Sequence, residues 1–176
     1  MSFFVVDVEA DGPVPGPYSM VSFGVVRVDR QLQTTFYAEV APVSEKWVPE
    51  ALAISKITRQ QHEQFESAEL VMPRFVQWLR AQNLGTDRPI FFSDNVAFDW
   101  MFMAHYLHVY TGDNPFGYSG RRIGDFYSGL RKNLRATRDW HRLRKTRHTH
   151  HPVDDAKGNA EALLAMCDKF GVPIDA

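Results

Sequence analysis

Phe3-Phe4-Val5-Val6-Asp7-Val8-Glu9-Ala10-Asp11-Gly12 is the stretch that decides how this chain folds. Apolar, strand-forming residues lead into two carboxylates at alternate positions, and the two-residue period of a strand puts Asp7 and Glu9 on one face. The Gly12-Pro13 pair then ends the strand. A carboxylate pair on a buried strand is costly to desolvate unless a cation lies between its members, and a divalent metal supplies that charge. The alternative for this stretch alone is a strand that simply turns polar at its end. Partners elsewhere in the chain decide between the two.

Residues 20–28 and 34–40, rich in β-branched and aromatic side chains, read as a second and third strand joined through Asp29 and Arg30. Pro13, Pro15 and Pro17 remove donors and fix φ, so residues 13–17 form a stiff surface loop beside the carboxylates. Residues 49–56 read as a short helix and 67–79 as a longer one, with an apolar stripe of Leu70, Val71, Phe75, Trp78 and Leu79. A buried strand follows at 89–93, then an aromatic-rich helix at 97–109 that Asp94 or Asn95 can cap. A last short strand at 121–124 leads into a helix from about Asp125. The final helix, 154–170, buries Ala156, Ala160, Leu163, Leu164 and Cys167 and stops at Gly171. Three strands first, then strands alternating with helices, make an α/β domain with a mixed sheet flanked by helices and the opening strand in its centre.

The 176 residues, 44% hydrophobic and 23% charged, suit one compact domain spanning residues 1–176. Cys167 is the single cysteine, so no internal disulfide forms, and the opening residues lack a basic segment followed by a long apolar one. Both features point to the cytoplasm. Asp7, Asp29, Asp94 and Asp99 interrupt the best apolar runs, so no membrane span is expected. Net charge is −1, yet Arg131, Lys132, Arg135, Arg138, Arg142, Arg144, Lys145 and Arg147 crowd one segment, opposed there only by Asp139. Such a run is either a solvated face or a track for phosphates.

Two further acidic positions bear on the metal hypothesis. Asp99 falls in the first turn of the helix after the buried strand, where its carboxylate can point back over the strand end. Asp155 stands at the start of the last helix, just after His148, His150 and His151. In kind and order, Asp7 with Glu9, Asn95 four residues before Asp99, and His150 five residues before Asp155 resemble the DEDDh group of 3′-5′ exonucleases. That group includes ribonuclease T, oligoribonuclease and the proofreading subunits of bacterial replicative polymerases. Residues 36–42 and 50–58 are similar to the family's third strand and the segment after it. The chain departs from the family at Asp94, where many relatives have histidine, and in its proline-rich loop.

The resemblance implies a ribonuclease H-like fold with a mixed five-stranded sheet, and two divalent cations, Mg²⁺ or Mn²⁺, held by Asp7, Glu9, Asp99 and Asp155. It implies His150 as general base and Ala10 at the terminal ribose. Chemistry asks for the same parts: hydrolysing a phosphodiester requires activating water near negative oxygens, and oxygen ligands suit hard cations. Asn95, Phe98 and Phe102 are candidate contacts to the substrate, with Phe98 or Phe102 able to stack on a terminal base, and Arg144 and Arg147 can follow the phosphates. The expected activity is removal of nucleoside 5′-monophosphates from single-stranded 3′ ends. RNA is favoured over DNA because the 111–120 loop looks like that of small stand-alone exoribonucleases; homodimerisation is a possibility taken from the relatives. The other readings are a DNA exonuclease of the same fold, a non-catalytic nucleic-acid-binding module, and a zinc site built from His141, His148, His150 and His151.

Overall fold

The computed structural model describes residues 2–174. β1 (Phe3–Ala10) lies at the centre of a five-stranded sheet in the order β3-β2-β1-β4-β5. It pairs antiparallel with β2 (Met20–Arg27), which pairs antiparallel with β3 (Thr35–Glu39). On its other side it runs parallel to β4 (Ile90–Ser93), which is parallel to β5 (Gly120–Arg122). This is the mixed, helix-flanked sheet expected from the strand pattern. The remaining elements are α1 (Pro49–Ile54), α2 (Arg59–His62), α3 (Ala68–Gln82), α4 (Val96–Thr111), α5 (Ile123–Leu130), a 3₁₀ turn at Asp139–Leu143, and α6 (Pro152–Phe170).

Strand alternation gives each face of β1 its own core. Phe4, Val6 and Val8 pack with Phe75, Leu79, Phe102 and Tyr106 of α3 and α4. Val5 joins Phe92, Trp140, Ala156, Ala160 and Leu163 on the α5–α6 side. Fully burying one such Phe or Leu contributes about 1.5–3 kcal/mol. Asp7 and Glu9 continue the Val5 face and so meet α6. The register slips between Glu9 and Ala10, a bulge that bends β1 just past its second carboxylate.

Gly24, paired with Asp7 across β2, sets how closely α6 approaches. A Cβ there would stand 2.4 Å from the backbone of Pro152 and Val153. The first turn of α6, which carries Asp155, therefore rests directly on the sheet.

Local chemistry accounts for several differences from the sequence expectations. α1 ends at Ile54 rather than 56, and Lys56 turns the chain with φ +61°. A short α2 that the apolar pattern does not announce is held by a capping box between Thr58 and Gln61. Leu70 is 63% exposed and drops out of the α3 stripe, while Met72 and Val76 join it. The helix expected from Asp125 starts two residues earlier, at Ile123. α6 starts at Pro152, whose missing N–H costs nothing in a first turn. Among the described residues no helix is long and apolar enough to cross a membrane.

Candidate active site

The bulged end of β1 and the starts of α4 and α6 converge on one acidic cluster. Carboxylate oxygens of Asp7, Glu9 and Asp155 lie within 4.8 Å of one another. Asp99 enters from the first turn of α4, and its Oδ1 accepts a 3.2 Å hydrogen bond from the Val8 amide, between the two acidic positions of β1. The four carboxylates inferred from the sequence are thus brought together.

Their protonation shows what the site lacks in charge. Burial first, then the negative charges of Asp99, Glu9 and Asp155, hold the Asp7 carboxyl well above the usual carboxylate range. Burial and then Asp155 push Glu9 up to about 7, and burial pushes Asp99 up to about 8. Clustered oxygen donors whose ionisation is opposed by burial and mutual repulsion are complementary to a hard divalent cation. Asp7, Glu9 and Asp99 fit that requirement, and Asp155 adds its carboxylate oxygens to the same set.

Asp155 organises the loop as well as the cluster. Its Oδ1 accepts from the Thr149 amide at 3.0 Å and from the Arg144 guanidinium at 3.2 Å. Its Oδ2 accepts from the His150 amide at 2.9 Å and lies 3.0 Å from His148 Nδ1. These bonds fix His150 at φ +60°, a left-handed conformation uncommon outside glycine, though histidine is among the residues that adopt it more readily. His150 Nδ1 comes to 3.6 Å from Glu9 Oε1. Lys56, turned by its own positive φ, donates to the Thr149 carbonyl and ties the end of α1 to the same loop.

The residues proposed to touch substrate divide. Asn95 is exposed at the N-terminus of α4, without a side-chain cap bond, and Phe98 is half-buried one turn in. Ala10 is buried at the strand end. Phe102 is a correction: it is fully buried in the α4 core, 4.9 Å from Phe98, and has no face left for a base. Arg144, expected from the sequence to follow the phosphates, is a second correction: it is largely buried against Asp155, so its charge is spent on a carboxylate, a pairing that only the fold creates. Arg147 is exposed and lines a cleft of about 470 Å³ with Asp94, His141, Arg144, Lys145 and His148. Asp94, the position that departs from the family, sits 2.9 Å from His141 Nε2. His151 instead stacks on Tyr37 at 4.7 Å. The four-histidine zinc grouping therefore does not form.

In sequence the chain is 32% identical over 174 residues to 3′-5′ DNA exonuclease Cap18 of Escherichia coli, covering 96% of this chain and 92% of that protein. The chain belongs to the DEDDh 3′-5′ exonuclease family. Solved structures share the fold. The nuclease domain of 3′hExo, a DEDDh family member bound to rAMP, superposes with a TM-score of 0.76 at 19% identity, over 96% of this chain and 92% of that one. Exonuclease I of E. coli with a dA16 oligonucleotide gives a TM-score of 0.67 at 14% identity, over 96% of this chain and 41% of that one. No family model matches the sequence. As a DEDDh exonuclease, the protein is a hydrolase that degrades from the 3′ end.

Proposed function

We propose that this protein removes nucleoside 5′-monophosphates from single-stranded 3′ ends with divalent cations, Mg²⁺ or Mn²⁺, and that DNA is its better substrate. The observation that carries the reading is the meeting of Asp7, Glu9 and Asp155 within 4.8 Å, with His150 at their edge. Two cations bound there would lower the pKa of water and neutralise charge on the phosphate oxygens. His150, its side chain exposed on a backbone pinned to Asp155, takes the proton from the attacking water. The bond broken joins phosphorus to the upstream 3′ oxygen, which leaves a new 3′ end and a mononucleotide. Arg144 and the loop amides keep the Asp155 carboxylate oriented throughout. Asn95 and Phe98 stand at the first turn of α4, which carries Asp99, and half-buried Phe98 has a partly open face for a base.

The preference for DNA replaces the sequence-based lean to RNA for two reasons. The 111–120 loop behind that lean plugs the core: Phe116 is buried against Phe91 and Phe4, and Asn114 is buried with it. A loop that serves packing says nothing about a 2′-hydroxyl. A relative that is 32% identical over 96% of this chain is a DNA exonuclease. The test is kcat/KM on DNA and RNA strands of matched sequence; a ratio favouring RNA would reverse the sugar preference.

A further inference from the structure

One carboxylate belongs to two triads. Asp155 stands with Asp7 and Glu9, an all-oxygen set, and also with His148 and His150, whose ligand atoms lie within 4.8 Å of one another and of its own. The second set has different chemistry. Two neutral imidazoles and one carboxylate suit a borderline ion such as Zn²⁺, whereas oxygen donors suit Mg²⁺ and Mn²⁺.

One edge of the trio already has the spacing of a bound ion, and the other ligand atoms lie within 4.8 Å. A tetrahedral Zn²⁺ with bonds near 2.0–2.1 Å separates its ligand atoms by about 3.3 Å. His148 Nδ1 and Asp155 Oδ2 are 3.0 Å apart, and the two imidazole centroids are 4.3 Å apart. The His148 and His150 side chains are 53% and 43% accessible, so their rings have room to turn toward a shared ion. The backbone is already set, because the Thr149 and His150 amides are pinned to the Asp155 carboxylate. His141 and His151 are held elsewhere, by Asp94 and by Tyr37, so the trio is a defined subset of the histidine cluster.

We propose that His148, His150 and Asp155 form a second metal site, selective for a borderline divalent ion such as Zn²⁺, and that its occupation silences hydrolysis. Inhibition follows because the ion engages both the proton acceptor His150 and a carboxylate of the hydrolytic set. That half of the inference rests on the proposed function; the binding half does not.

The test is titration of metal-stripped protein with Co²⁺, followed by its visible absorption, and then with Zn²⁺, both in a large excess of Mg²⁺. Wild type, His148→Ala, His151→Ala and Asp7→Asn are compared, each checked for folding by circular dichroism. One Zn²⁺ per chain is expected in wild type, His151→Ala and Asp7→Asn. His148→Ala should bind it tenfold or more weaker, since losing a direct ligand costs no less than the roughly 10–100-fold seen for outer-shell partners. In hydrolysis, with each variant referred to its own zinc-free rate, half-inhibition by Zn²⁺ should move to tenfold or higher concentration in His148→Ala. Displacement of Zn²⁺ by Mg²⁺, equal affinity in His148→Ala, or loss of binding in Asp7→Asn would overturn the site and place the ion on the acidic cluster. Zinc uptake that depends on His148 in a protein that cuts no phosphodiester would uphold the site and sink the nuclease reading instead.

Discussion

Glu9→Gln should make the metal-free protein more stable, and the gain should depend on pH. The Glu9 side chain is 13% exposed, and its carboxyl is raised from 4.5 to about 7 by burial and by Asp155. A carboxylate whose folded pKa is raised contributes fully to stability below its unfolded pKa and loses that contribution as pH climbs through the folded value. From 4.5 to about 7, at 1.36 kcal/mol per unit, ionised Glu9 costs the wild type about 3 kcal/mol near pH 8. Near pH 5, where the folded side chain still keeps its proton, the cost is under about 1 kcal/mol. Glutamine has the same shape and no charge to desolvate. In EDTA, Glu9→Gln should therefore melt above wild type by about 6–12 °C near pH 8, shrinking to about 2–4 °C or less near pH 5. Differential scanning calorimetry in EDTA at both pH values reads this directly. Saturating Mn²⁺ should narrow the gap near pH 8, because the cation repays wild type more than the neutral variant. Equal melting temperatures near pH 8 in EDTA would refute the claim that the cluster is held together against its own charge.

The other predictions concern the supports of the site. Arg144→Met, which leaves Asp155 without its guanidinium, should lower kcat by roughly 10–100-fold with a much smaller change in KM; steady-state kinetics checks this, and a change confined to KM would assign Arg144 to substrate instead. Gly24→Ala drives a Cβ into the backbone of Pro152 and Val153, so it should cost about 3 kcal/mol in urea unfolding. By displacing Asp155 it should also lower activity by roughly 100-fold, and wild-type activity in a folded variant would contradict that coupling. Arg59→Met strips the fully buried Asp11 of its ion-pair partner and should cost about 3–5 kcal/mol, read by the same unfolding experiment.

The central strand was legible because its signals agree. Apolar residues at Phe3–Val6, carboxylates at period two and a Gly-Pro stop all describe one buried strand ending at a polar site. Asp99 and Asp155 were legible for another reason: each falls in the first turn of a helix, and their order after Asp7 and Glu9 is that of the family. What stayed hidden depends on contacts between distant segments. Nothing local announces that Arg144 folds onto Asp155, that Asp94 meets His141, or that Lys56 reaches the Thr149 carbonyl. Phe98 and Phe102 look alike in sequence, and only the packing of α4 buries one and leaves the other half open. Gly24 did carry a signal, since glycine inside a strand marks a close approach. Its partner, the start of α6, is more than a hundred residues away.

The most direct test of the account follows the two ends of one strand. Single-stranded DNA labelled at the 3′ end, or at the 5′ end, is incubated with Mn²⁺ and wild-type protein or Asp7→Asn. Wild type should release the 3′ label at once as a mononucleotide and shorten the 5′-labelled strand stepwise, while Asp7→Asn leaves both strands intact. Release of the 5′ label first, internal cutting, or undiminished activity in Asp7→Asn would contradict the assignment of hydrolysis to this cluster of carboxylates.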